Sequence, residues 1–382
     1  MNYMDKKKIV VGLSGGVDSA VAAYLLKEQG YDVTGAFMRN WDAIANNDIN
    51  GNPTLNDPMC PQEQDYEDAK KVADQLGIPL LRVDFIKEYW DNVFLYFLDE
   101  YQKGRTPNPD IFCNKYIKFD AFLNWAKSQG FSHIATGHYA KRIDRDGMTF
   151  LAKSFDQQKD QTYFLSQLNQ AQLQASIFPL GDIDKHEVRR IATELNLWVA
   201  KKKDSTGVCF IGERHFKEFL HNYLPMKKGD IVDINLNKVI GQHDGVFYYT
   251  IGQRRGLGIG GLKDYEDAKS WYICKKDVAK NILYVANDDK DEHLLADSAI
   301  ISDVNFNSIR PNDGSQINAK FRYRQGDLPV TIHYIDDQHV RLDFLSPYKA
   351  ITPGQAAVFY RDNLCLGGGI ISEVYYKNKK VN

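Results

Sequence analysis

The sequence predicts an α/β domain built on a parallel sheet, followed by a small β-rich central domain and a C-terminal antiparallel β-barrel. Three observations point there. Short β-branched runs alternate with amphipathic runs through the first half of the chain, the pattern of a parallel sheet covered on both faces. After about His221 the segments shorten and are punctuated by turns. From about Ala299 onward, strands alternate at even spacing, as in a closed barrel. The domains are expected at 1–212, 213–292 and 293–382.

The first strand is Ile9-Val10-Val11 and the first helix covers 20–26, with Gly12-Leu13-Ser14-Gly15-Gly16-Val17-Asp18-Ser19 between them. Glycines let the backbone approach a ligand, and the N–H groups that open a helix point at whatever lies ahead, usually a phosphate. The loop lacks the Gly-Lys-Ser/Thr ending that holds the β and γ phosphates in a Walker A loop, so a departing pyrophosphate suits it better. Ser14 and Ser19 can donate hydroxyls to that anion, and Asp18 can hold Mg2+ or cap the helix. Ser-Gly-Gly-Val-Asp-Ser after a first strand resembles the PP-loop of the ATP pyrophosphatases, which adenylate a substrate and release pyrophosphate. Two other readings stand beside it. Gly12-Leu13-Ser14-Gly15-Gly16 fits the Gly-x-Ser-x-Gly elbow of serine hydrolases, although that elbow normally follows several earlier strands. A glycine turn capped by Asp18 with no ligand is the plainer one.

A second strand is expected over 32–38, then a mobile, turn-rich loop beside the nucleotide over 40–60. A helix over 65–76, a strand over 78–84 and a helix over 87–103 follow, the last with an aromatic stripe that belongs in the core. In the segment 104–114, Pro107 and Pro109 bracket Asn108 and hold Asp110 and Cys113 on a stiffened loop that becomes a helix near Asn114. At a helix N-terminus the thiolate of Cys113 would be favoured. The strand beginning at His133 ends at Gly137, on the carboxyl edge where open parallel sheets present ligands. Gly137 leaves room for a base or ribose, and His138 is either a ligand contact or a hydrogen-bonded structural histidine.

A hairpin turns at Asp146-Gly147, and Asp184-Lys185-His186-Glu187 has the capping-box pattern ahead of a helix over 187–195. Lys201-Lys202-Lys203 leads toward a short apolar strand holding Cys209, whose thiolate the ammonium groups would favour. In the central domain, strands are expected over 229–232, 245–249 and 271–274, with a glycine-rich run, 252–261, too flexible to hold itself in place. In the barrel, the strand 319–324 puts Arg322, Tyr323 and Arg324 together, as in proteins that grip unpaired nucleotides.

With 382 residues, 43% apolar and 26% charged, the chain has the composition of a soluble multidomain protein. No apolar run reaches about 18 residues and the N-terminus is polar, so a cytoplasmic protein without membrane contact is expected. A net charge of -2 leaves nucleic-acid binding to local patches such as Lys201–203, Lys227-Lys228, Arg254-Arg255 and Lys275-Lys276. Cys60, Cys113, Cys209, Cys274 and Cys365 form no C-x-x-C pair, which excludes a zinc ribbon and a secreted disulfide framework; no metal-ligand set is expected.

A pyrophosphate loop together with two isolated, thiolate-favouring cysteines suggests sulfur transfer onto an adenylated oxygen. The whole chain resembles the bacterial tRNA-specific 2-thiouridylases. The matches are the loop 12–19, Asn108-Pro109-Asp110-Ile111-Phe112-Cys113-Asn114, Ala135-Thr136-Gly137-His138, Lys159-Asp160-Gln161, the segment 205–212 around Cys209, and Arg322-Tyr323-Arg324. The resemblance implies that Gly12, Leu13, Ser14, Gly15, Gly16, Val17, Asp18 and Ser19, with Met38 and Gly137, hold ATP with Mg2+. It implies Cys209 as persulfide carrier, Cys113 as its partner nucleophile, and Asp110 beside the target base as general acid or base. It assigns tRNA contacts to Asn108, Pro109, Asp110, Lys159, Asp160, Gln161, Arg322 and Tyr323. Its partners would be the anticodon stem-loop with its wobble uridine and a persulfide donor, a cysteine desulfurase or sulfur relay protein, serving a monomer. The alternatives are a PP-loop synthetase that forms an amide or C–N bond, which needs no cysteine pair, and a non-catalytic tRNA-binding protein.

Overall fold

A computed structural model describes residues 7–50, 52, 61–204, 207, 216–259 and 270–381. The first domain carries β1 Lys8–Gly12, β2 Asp32–Arg39, β3 Leu80–Asp84, β4 His133–Ala135, the hairpin of β5 Lys141–Arg145 and β6 Met148–Ala152, and β7 Ser176–Ile177. Its five-stranded sheet runs in the order β3-β2-β1-β4-β7, and every pairing is parallel. Alternation along β1 explains the two covered faces. Val10 joins the aromatic-rich cluster on one side, while Ile9 and Val11 pack with Ala20, Val21 and Ala23 of α1, Val17–Glu28, on the other. The chain builds outward from β1 to β3 and then crosses back to β4, so a switch point opens at the carboxyl ends of β1 and β4. The two-residue β7 was too short to read from sequence.

The aromatic stripe is core, as expected: Tyr89, Phe94, Phe97 and Tyr101 are buried on a helical run that passes through a π-turn at Trp90–Phe94. Trp41 packs edge-on against Phe94 with ring centroids 4.9 Å apart, and its Nε1 donates to Asp48 Oδ2 at 3.1 Å. The loop expected to be mobile is therefore anchored over 41–48; residues 53–60, including Cys60, lie outside the described residues.

The central sheet consists of β8 Gly229–Asp233, β9 Lys238–His243, β10 Tyr272–Asp277 and β11 Ile282–Ala286, ordered β10-β11-β8-β9. The strand expected over 245–249 is instead a 3-10 turn at Val246–Tyr248; both of those residues are buried, and the Tyr248 hydroxyl donates to Leu224 O at 2.8 Å. The glycine-rich run is pinned where it is described, by Gly252 N–H to Ile273 O at 2.7 Å and Ile273 N–H to Gln253 O at 3.1 Å.

The barrel is made of β12 Leu295–Phe306, β13 Gln316–Lys320, β14 Leu328–Tyr334, β15 Val340–Lys349, β16 Ala356–Arg361 and β17 Leu364–Tyr376, with β18 Lys379–Val381 folded back on β17. Because β12 pairs with both β15 and β17, the six-stranded antiparallel barrel closes and hides its edges. Two features were not legible. The hairpin β5–β6 joins the barrel through Leu364↔Ala152 and Cys365↔Leu151, so the first domain lends strands to the last. Arg322 and Tyr323 lie in a turn after β13 rather than on a strand, because Arg322 Nη2 reaches Ile251 O and Ala350 O at 3.0 Å and Thr352 Oγ1 at 3.1 Å. That guanidinium ties the central domain to the barrel. The barrel also meets the Cys113 region: Thr106 N–H donates to Pro353 O at 3.0 Å and Tyr163 OH to Ala356 O at 3.1 Å. Among the described residues, no helix is long and apolar enough to cross a membrane.

Candidate active site

The glycine loop sits at the switch point. Gly15 has φ +73°, and a Cβ there would lie 2.3 Å from Asp65 O, so only glycine fits. A Cβ on Gly137 would lie 2.8 Å from Asp18 C and Ser19 N, which presses the end of β4 against the first turn of α1. The Met38 methyl group covers Gly12 closely, 3.0 Å from where a Cβ would stand. Loop, Met38 and Gly137 thus form one cradle. Ser14 and Ser19 hold each other, Oγ to Oγ at 3.3 Å, and Ser19 Oγ donates to Gly16 O at 3.1 Å. No histidine among the described residues bonds Ser14, which leaves the serine-hydrolase reading without its base.

Asp18 does not cap α1. The N-cap is Gly16, without a side-chain bond, and the Asp18 carboxylate accepts from Lys185 Nζ at 2.7 and 2.9 Å and from Tyr139 OH at 2.8 Å. Lys185 opens the helix Lys185–Glu194, is only 14% exposed, and also meets Asp204 at 2.7 Å. Half of the expected capping box is present: Asp184 accepts the Glu187 N–H at 2.7 Å, while the Glu187 carboxylate turns to Arg190. Asp204 also receives Lys159 and Arg189, each at 2.8 Å. Burial raises its pKa, but the hydrogen bonds from Lys159 and Lys185 outweigh this and hold the carboxyl well below the usual carboxylate range. Lys202 is matched by Asp65 at 2.7 Å and Asp68 at 2.6 Å, so the basic run 201–203 is no open cationic patch at its centre.

The Cys113 helix starts a turn earlier than expected. Asn108 is its N-cap, accepting the Asp110 N–H at 3.2 Å, and Pro109 takes the first position, where a missing N–H costs nothing. Cys113 is therefore one turn inside the helix, where it passes into the π-type run Cys113–Ala121, and it is fully buried. The expectation of a thiol at a helix N-terminus is corrected by that early start. Asp110 lies in the first turn and is partly exposed. Next to Cys113, Asn114 Nδ2 donates to Phe164 O at 3.0 Å, and the Phe164 ring lies 4.5 Å from that of Tyr323.

Of Lys159-Asp160-Gln161, Lys159 and Gln161 are half-buried and reach the surface, and Asp160 does not. Asp160 is buried, accepting from Ser154 N–H at 3.0 Å and Thr162 Oγ1 at 2.7 Å, and Gln161 Oε1 accepts the Tyr139 N–H at 3.0 Å. His138 resolves to the structural alternative, buried between Phe119 and Phe178 and sharing a hydrogen bond with Thr136 Oγ1 at 2.8 Å. Burial, aided by Lys118, pushes its pKa well below the ordinary 6.5, so the folded ring is neutral. As pH falls through about 6.5, the unfolded chain takes up a proton that the folded chain refuses, and stability drops. His138→Gln is expected to flatten that loss, measured as the shift in urea midpoint between about pH 7 and about pH 5.5; an unchanged shift contradicts it.

Three family models cover the chain in succession: a tRNA methyl transferase HUP domain over 7–213, a tRNA methyl transferase PRC-barrel domain over 217–287 and an aminomethyltransferase beta-barrel domain over 296–371. The tRNA-specific 2-thiouridylase MnmA of Mycoplasma capricolum is 56% identical over 97% of this chain and 99% of its own. The chain belongs to the tRNA-specific 2-thiouridylase family. The family member from Staphylococcus carnosus is 54% identical over 96% of both chains. A solved complex of a 4-thiouridine synthetase with RNA and bound ATP has a TM-score of 0.34 at 18% identity, covering 55% of this chain and 46% of that one, which is too slight to carry an argument.

Among the positions that the 2-thiouridylase resemblance singles out, the cradle residues are gathered at the switch point, while Asp110, Cys113 and Tyr323 are gathered around the Cys113 helix. Cys209 lies outside the described residues. Cys274 and Cys365 are buried, and burial pushes both thiols up to about 12, consistent with inert packing residues. Sequence reasoning missed Lys185 and Tyr139 as parts of the loop's surroundings. Nothing local marks them, since both reach Asp18 from more than a hundred residues away.

Proposed function

We propose that this chain is an ATP-dependent tRNA sulfurtransferase that converts the wobble uridine of cytoplasmic tRNA to 2-thiouridine. The observation that carries the reading is the full-length kinship with curated 2-thiouridylases. A lysine-free glycine loop at the sheet's switch point supports it. The uridine C2 oxygen attacks the α-phosphate of ATP, the N3 proton passes to a base such as Asp110 and returns to N3 when the thiocarbonyl forms, and pyrophosphate departs toward the loop's N–H groups and the two serine hydroxyls. The terminal sulfur of a Cys209 persulfide then attacks C2 and AMP leaves with its C2–O oxygen. Cys113 thiolate attacks the Cys209 sulfur, a disulfide forms between the two cysteines, and the electron pair of the broken S–S bond leaves as the C2 thiocarbonyl. Asp110 is suited to proton transfer at the base, and the turn carrying Tyr323 to gripping the anticodon loop.

Lys185 supplies the cation that the loop lacks, and Asp18, whose carboxylate accepts from Lys185 and Tyr139, is the residue that would hold a magnesium ion in exchange for the lysine. Such an ion would spread the charge of the leaving pyrophosphate. Lys185→Ala is expected to lower kcat/KM for ATP roughly 10- to 100-fold while leaving tRNA affinity unchanged. Steady-state kinetics with ATP varied, beside a filter-binding assay for tRNA, check it; an unaltered kcat/KM contradicts it. The function itself is tested by mass spectrometry of tRNA nucleosides after incubation with ATP, magnesium and a persulfide source. A 2-thiouridine product that requires ATP supports it. Pyrophosphate release without any thiolated nucleoside overturns it.

A further inference from the structure

We infer that Asn114 reads the N3–H of the target uridine as the base enters, before adenylation of its C2 oxygen removes that proton, so that the site beside Cys113 selects a uracil over a base whose N3 is an acceptor. This rests on the thiouridylase reading above and adds a specificity residue to it. Asn114 follows Cys113 directly and is 2% exposed. Its Nδ2 donates to the Phe164 carbonyl at 3.0 Å. A carbonyl oxygen only accepts, so this bond fixes which way the amide faces and leaves Oδ1 as the atom turned away. That oxygen is buried and accepts no hydrogen bond among the described residues. A buried acceptor without a donor is costly and calls for an explanation, and a ligand N–H supplies one.

The chemistry of the base says which N–H. In a uridine, C2 lies between N1, which carries the ribose, and N3, which carries a proton. When C2 faces the sulfur chemistry at Cys113, the N3–H therefore falls on the adjacent side. Cytosine presents a lone pair at that atom and would set it against the amide oxygen. Successive side chains of an α-helix diverge by about 100°, and the π-type winding that begins at Cys113 narrows this angle, so one pyrimidine ring can span both side chains. The residue whose carbonyl anchors the amide, Phe164, also packs its ring 4.5 Å from that of Tyr323, which brings aromatic surface on which a base can stack to the neighbourhood. Cys113 is as closed as Asn114, so a base that opens the way to the thiol also reaches the amide.

The test compares anticodon stem-loop RNAs that carry at the wobble position either uridine or 3-deazauridine, in which C–H replaces N3–H. Competition binding to the full chain is read for wild type and for Asn114→Ala. Wild type is expected to prefer uridine roughly 10- to 100-fold, and the variant to bind the two RNAs within about twofold of each other. Equal affinities in wild type overturn the inference without any variant, and a preference retained by Asn114→Ala overturns it as well. Thiolation of the uridine stem-loop by wild type, measured in parallel, separates the two levels. If it occurs while discrimination is absent, only the role of Asn114 falls; if it does not occur, the thiouridylase reading falls and takes this inference with it.

Discussion

Cys113→Ser and Cys209→Ser are each expected to lower 2-thiouridine formation by at least ~1,000-fold while ATP binding survives, because each removes a sulfur that forms or breaks a bond. Serine is nearly isosteric, so the fully buried Cys113 site should keep its packing. The variants differ in where the reaction stops. Without Cys209 no persulfide is carried, and the adenylated base accumulates or reverts. Without Cys113 the sulfur reaches C2 but stays linked to Cys209, so a covalent enzyme–tRNA adduct builds up, visible on a denaturing gel and released by a thiol reductant. Full 2-thiouridine yield from either variant contradicts the two-cysteine scheme.

Gly137→Ala is expected to cost ATP binding and activity about 100-fold, comparable to displacing a reacting group by about 1 Å. The added Cβ would stand 2.8 Å from two backbone atoms of α1, and neither can swing aside as a flexible side chain would. Either α1 or the end of β4 has to move, and both carry the cradle. The overpacking should also lower stability by about 1–3 kcal/mol. Calorimetric titration with ATP and a thermal melt check both parts; unaltered ATP affinity contradicts the placement of the site at the switch point.

Much of the architecture could be read from local patterns because local forces decide it. The β-branched run before Gly12 and the alternating strands after Ala299 bury their apolar sides in the only ways a strand allows. Pro107 and Pro109 read as helix breakers that put Cys113 at a helix start, yet Asn108 caps and Pro109 serves as the first helical residue. The other departures lie where distant groups decide. Arg322 reads as a strand residue, but three acceptors from two other segments hold it in a turn. Asp18 reads either as a magnesium ligand or as a helix cap, and the capping alternative fails because Lys185 and Tyr139, far along the chain, bond its carboxylate. Pairing of β6 with β17 joins residues more than two hundred positions apart, a contact with no local trace.

The central claim is that the sulfurs of Cys113 and Cys209 meet during the reaction. It is tested most directly by a single turnover: enzyme preloaded with one persulfide, ATP and tRNA are mixed without reductant, quenched with an alkylating agent and digested for peptide mapping. The account predicts a disulfide between the peptides bearing Cys113 and Cys209, formed in step with 2-thiouridine and absent when ATP is left out. Thiouridine appearing at full yield with both thiols recovered singly alkylated would contradict it.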